Sequence, residues 1–97
     1  MAQKYPDPIL DTHEGECFLC HRKNIRTELH HVFGAANRSN STKYGCVCYL
    51  CYDCHQGNNG VHNNKALWDR LRALTQAEFE VNYPELDFLK IFGRNWL

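Results

Sequence analysis

The sequence predicts a small α+β domain: a β-hairpin with a long connection, a short helix after it, and two further C-terminal helices. Three observations carry this. The chain has 97 residues, the length of one domain. Two cysteine pairs, "CFLC" (Cys17, Cys20) and "CYDC" (Cys51, Cys54), frame two short runs of strand character. After Asn63 the apolar spacing changes from strand-like to helical. A chain this short buries a modest core and often needs a metal or disulfide staple.

Taken in order, residues 1–14 read as an irregular arm, with Pro6, Pro8 and alternating charge. Residues 15–62 form the core of the domain. Gly15 to Asn24 has the turn character of a cysteine knuckle. Ile25 to Phe33 reads as a strand, with Ile25, Leu29, Val32 and Phe33 apolar. "GAANRSNSTKYG", Gly34 to Gly45, reads as a polar loop, and a connection of that length more often marks function than slack. "CVCYL", Cys46 to Leu50, is the second strand. "CYDCHQGNNGVH" begins as a short helix interrupted near Gly57 to Gly60. Residues 63–97 are the C-terminal helices. The first is capped by Asn63 or Asn64, buries Leu67, Trp68, Leu71, Leu74 and Phe79, and runs to about Asn82. The second opens at Pro84, turns Leu86, Leu89 and Phe92 inward, and stops at Gly93. Trp96 tucks back against the body.

The cysteines point to metal. Four thiolates around Zn2+ make a closed tetrahedral site with no open position, a structural device rather than a catalytic one. An x2 spacing lets one tight turn present two sulfurs to one ion. The predicted ligands of a structural Zn2+ are therefore Cys17, Cys20, Cys51 and Cys54. A redox role for either pair would call for a thioredoxin-like strand–helix unit, which the pattern lacks. Cys46 and Cys48 lie two apart on a strand and could replace one pair, but they read better as small strand hydrophobes, one of them partly buried.

The opening residues show no secretory pattern and no segment has the apolar length of a membrane span, so a reducing cytoplasm is the expected compartment. Net charge is zero, but its distribution is uneven. Residues 21–45 carry Arg22, Lys23, Arg26, Arg38 and Lys43 against Glu28 alone. Such a stretch is either a solvated face or a phosphate-facing patch.

Histidines supply the remaining chemistry. In "TELHHVFG" His30 and His31 are neighbours on a strand, where successive side chains point to opposite faces. Either one is surface and the other core, or a local twist or bulge lets both serve one site in different roles. His55 directly follows the second CxxC, and His62 lies seven residues on. "ELHH", a fifteen-residue step, and a strand running into "CYDCH" resemble the HNH endonuclease family of the ββα-metal superfamily, in its four-cysteine form. The resemblance covers about Cys17 to His62, half the chain, and small proteins of this build are often phage-encoded.

That resemblance implies a metal-dependent hydrolase of DNA phosphodiester bonds, with His30 and His55 as ligands of a divalent ion and His62 as the extra ligand seen in DNase colicins. His31 would be the general base. A neutral imidazole suits that role at physiological pH. Imidazole ligands suit Mn2+, Ni2+, Co2+ or Zn2+ better than Mg2+, although such a nuclease can still run on Mg2+. The substrate expected is double-stranded DNA cut with weak sequence preference, since no separate reading domain is visible. A homodimer or a phage recombination partner would be compatible. One departure stands out: the family's middle Asn falls on Cys46, whose thiol cannot replace both arms of an amide. Asn37 or Asn40 could substitute, or activity could be low or lost. The alternatives are a zinc-stapled module that grips nucleic acid without cutting, and a protein-interaction domain.

Overall fold

The computed structural model describes residues 7–97; residues 1–6 of the arm read over 1–14 lie outside the described residues. Strands β1 (Glu28–His31) and β2 (Val47–Leu50) pair antiparallel, Glu28 with Leu50 through His31 with Val47. Helices α1 (Arg38–Tyr44), α2 (Tyr52–His55), α3 (Lys65–Asn82) and α4 (Phe88–Phe92) surround this hairpin, with 3-10 turns at Ala35–Asn37 and Val61–Asn63. The architecture is a small α+β fold, as the sequence predicts. No helix among the described residues is long and apolar enough to cross a membrane.

The knuckle forms as expected. Glu16 and Lys23 bridge antiparallel, and the Cys17 and His21 amides close a tight turn with the Arg22 and Cys17 carbonyls. This shortens β1 relative to the sequence reading, because residues just before it are already engaged. The Ile25 amide donates to the Gly15 carbonyl, and the Thr27 hydroxyl accepts from the Gly15 amide. Residues 7–14 are irregular, yet they dock rather than dangle. Leu10 and Thr12 are buried, the Ile9 amide bonds the Gly45 carbonyl, and Thr12 Oγ1 accepts from the Tyr49 amide of β2.

The connection read as a polar loop is helical over most of its length. The sequence "RSNSTKY" has no apolar period to reveal α1, and Asn, Ser and Thr are poor helix formers. Tertiary bonds and a cap compensate. Ser41 is fully buried; its Oγ donates to the Phe33 carbonyl at 2.6 Å and accepts from the Phe33 amide at 3.1 Å. Gly45, at φ 72°, ends the helix in the left-handed conformation that glycine adopts without strain.

Helix α3 runs as read, with Asn64 as its cap: the side-chain oxygen accepts from the Leu67 amide at 3.1 Å. Leu71 and Phe79 are buried and Leu67 and Trp68 are half-buried, but Leu74 is exposed. The second C-terminal helix differs in start and phase. Residues from Pro84 form a turn, and α4 begins at Phe88 with Asp87 capping the Lys90 amide. Phe88 and Phe92 face inward, while Leu86 and Leu89 are exposed. The phenylalanines win because they complete an aromatic cluster, with Phe33 4.7 Å from Phe92 and Phe79 5.3 Å from Phe88. Trp96 does return to the body, over the Arg72 guanidinium at 4.4 Å.

Two candidate metal centres and a cleft

Cys17, Cys20, Cys51 and Cys54 converge, with all four sulfurs within 4.8 Å of one another. In a tetrahedron with metal–sulfur bonds of ~2.3 Å, ligand sulfurs lie about 3.8 Å apart. The Cys20 and Cys51 sulfurs are 3.8 Å apart. All six cysteines are free. The knuckle provides the first pair, and β2 runs directly into Cys51, the residue preceding α2. This group could hold a metal ion, and its sulfur-only donor set suits zinc.

Arg22 belongs to this centre rather than to an open basic patch. It donates to Cys51 Sγ at 3.2 Å and Cys20 Sγ at 3.5 Å, and bridges to Asp53 at 3.2 Å. Its hydrogen bonds pull the Cys20 thiol down to about 6. Burial raises Cys51, but hydrogen bonds from the Cys54 backbone and Arg22 outweigh it and leave that thiol lowered. Burial raises Cys54. Cys46 and Cys48 take no part. Both are fully buried, against the expectation that one would be partly so, and burial pushes both thiols up to about 12.

A second group forms beside the first. His30, His55 and His62 each bring a ring nitrogen within 4.8 Å of the others. His55 Nε2 and His62 Nε2 are 3.0 Å apart; imidazole ligands at ~2.0–2.1 Å from one ion would lie about 3.3 Å apart. His30 Nε2 is buried and has no hydrogen-bond partner in the protein, so it fits a ligand position. Burial, then the neighbouring His55, His62 and His31, push His30 down to about 3, so it is neutral and ready to ligate. His55 Nδ1 donates to Glu28 Oε1 at 2.8 Å, which leaves Nε2 facing His62. This carboxylate–imidazole pairing fixes ring orientation in metal sites. The same bond, with a second from Gln56, lowers the Glu28 carboxyl.

The elements set this geometry. Helix α2 is a single turn that carries Cys54 and His55 in succession. The chain then doubles back at Gly57–Gly60 so that the next 3-10 turn presents His62. At Gly60 a Cβ would meet the Asp53 carbonyl oxygen at 2.7 Å, which leaves no room for a side chain. Trp68 of α3 closes the far side, its ring 5.2 Å from His30 and 4.8 Å from His62, and its Nε1–H donates to the Val32 carbonyl at 2.7 Å.

His31 stands outside the imidazole group, half-buried, and its Nε2 meets Thr42 Oγ1 of α1 at 3.0 Å. Of the expected twist or bulge, the bulge is absent: the ladder keeps one register through His30 and His31, and the chain bends after it, at Val32 and Phe33. Both rings nevertheless line one cleft of about 240 Å³, together with His55, His62, Trp68 and Arg38. They share it because α1 folds over the end of the strand beside His31. Burial, then the charge of Arg38, lowers His31.

Lys23, Arg26, Arg38 and Lys43 are exposed, the first two before β1 and the other two at opposite ends of α1, and only Arg38 among them lines the cleft. Lys43 lies over the Tyr44 ring at 5.3 Å. Asn37 and Asn40 do not serve His31. Their amides donate to the Phe92 and Ile91 carbonyls, at 2.9 and 3.2 Å, and hold α4. Sequence reasoning missed Glu28, Thr42 and Trp68 as neighbours of the histidines. Glu28 had a signal, because residues two apart on a strand share a face and Glu28 precedes His30 by two.

Comparison of the chain with protein-family models, with curated proteins and with solved structures finds no match.

Proposed function

We propose that the chain is a metal-dependent endonuclease of the HNH type, a ββα-metal finger in which β1, β2 and α2 are the core and Cys17, Cys20, Cys51 and Cys54 hold structural zinc. The observation that carries the reading is the division of labour among four histidines. Three converge as a candidate ligand set, and the fourth, adjacent in sequence, lines the same cleft outside that set.

His30, His55 and His62 would hold a divalent ion, which supplies neutralisation of charge on the phosphate and on the departing 3′ oxygen. His31, neutral at physiological pH, accepts a proton from water as the water oxygen attacks phosphorus. The bond from phosphorus to the 3′ oxygen breaks, and that oxygen takes a proton from solvent. The products are a 5′ phosphate and a 3′ hydroxyl. Arg38, at the cleft, pairs with the phosphate. Glu28 keeps His55 turned so that Nε2 faces the centre. The substrate class is DNA, with Lys23, Arg26 and Lys43 contributing charge without sequence readout.

The deciding experiment is incubation of supercoiled plasmid with the purified chain, with and without Mn2+, beside His31→Ala. The wild type is expected to nick, and the variant to lose about 10²–10⁴-fold in rate while still binding DNA. Salt-sensitive retention of DNA by an inert wild type would instead make the chain a binding module.

A further inference from the structure

We propose that Thr42 is the positioning residue for the base: its hydroxyl fixes His31 with the proton on Nε2, leaving Nδ1 as the atom that accepts the proton from water. The proposal rests on the nuclease reading and deepens it. A threonine hydroxyl has one hydrogen to give and lone pairs to receive. Thr42 Oγ1 lies 3.3 Å from the Arg38 carbonyl, four residues earlier in α1, and donates its hydrogen there. Its lone pairs then face His31 Nε2 at 3.0 Å, so that nitrogen carries the hydrogen and donates. In a neutral imidazole the other nitrogen is then the acceptor. The side chain expected from the resemblance to orient the base is missing: position 46 is a buried cysteine, and Asn37 and Asn40 are committed to α4. The orienting group has moved to the helix inserted in the hairpin connection. Because the same hydroxyl is tied to the Arg38 backbone, one side chain ties the base to the turn of α1 that carries the arginine of the cleft.

The test uses the full chain loaded with one equivalent of zinc, as wild type, Thr42→Val and Thr42→Ser. Long-range 1H–15N spectra of the histidine rings read the tautomer directly and need no activity. His31 is expected as the Nε2–H form in the wild type and in Thr42→Ser, and as a mixture in Thr42→Val. In plasmid nicking with Mn2+, Thr42→Val is expected to lose on the order of 10- to 100-fold in kcat with KM for DNA unchanged, and Thr42→Ser to recover most of it. A wild-type His31 carrying its proton on Nδ1 overturns the proposal, as does a Thr42→Val chain with wild-type spectra and rate. An inert wild type with the Nε2–H form removes the nuclease reading and leaves the assignment of Thr42 standing.

Discussion

The sulfur centre and the imidazole centre lie side by side, since Cys54 and His55 are consecutive, yet they are built on opposite principles. Four cysteines satisfy a tetrahedral ion completely and leave nothing to react. Three histidines would leave a position open on an ion, and they line one cleft with His31 and Arg38. The charge logic differs too. Two of the thiols, Cys20 and Cys51, are drawn toward ionisation, and a guanidinium donates to both of their sulfurs. His30 is kept neutral by burial, with a carboxylate stationed behind its partner His55. In the proposed nuclease one centre is a staple and the other a tool, and a single charged side chain, of opposite sign in the two, bonds each.

The largest expected effect comes from breaking the staple. Structural zinc contributes roughly 10–16 kcal/mol in finger peptides, comparable to or more than the ~5–15 kcal/mol total stability of most domains. Cys54→Ser, or stripping with a strong chelator, is expected to abolish the cooperative thermal transition in circular dichroism. A stripped chain that melts cooperatively near the wild-type temperature would show that the sulfurs are dispensable. Damage to the tool is expected to be milder. Glu28→Gln removes the acceptor charge behind His55 and should weaken Ni2+ or Mn2+ binding at the imidazole centre by about 10–100-fold, read by calorimetry, with the zinc count unchanged.

A pH dependence separates the centres next. His30 is held down to about 3, against an ordinary value near 6.5. Between those values the unfolded chain binds the extra proton, so stability is complete above pH ~6.5 and falls as pH drops toward 3. With zinc on the cysteines and no second ion, the loss should reach about 1 kcal/mol by pH 5.5, measured by urea titration. His30→Asn should flatten that slope. The smallest effect is expected from Arg22→Gln. The guanidinium is more than half exposed, and solvent screening leaves such contacts weak. Zinc release to a chromogenic chelator should quicken only a few-fold, while the imidazole centre is unaffected.

How far these centres were legible follows from what encodes them. The sulfur ligands were legible because a CxxC turn is a local device, complete within four residues. The histidines were legible as a group because His55 is adjacent to that device and His30–His31 break the pattern of an apolar strand. Helix α1 was not legible, because it is specified by distant bonds: Ser41 to the Phe33 backbone, and Asn37 and Asn40 to α4. Thr42 was hidden with it. The phase of α4 failed for a related reason. Leu86, Leu89 and Phe92 fit a helical stripe, as do Phe88 and Phe92, and only the aromatic cluster around Phe79 decides between them. No bulge forms at His30–His31, where a twist or a bulge was expected. A regular strand suffices once α1 folds over the end that carries His31.

Helix α2 spans four residues, one turn, and an isolated turn has no persistence of its own in water. Its shape is therefore borrowed from the cysteines at its start, and His55 stands at its far end. Assembly would acquire an order from this: the ion of the cysteines would seat first, and until it did the second pocket would have no wall to bind against. A chain starved of zinc would be blind to manganese or nickel however much were supplied.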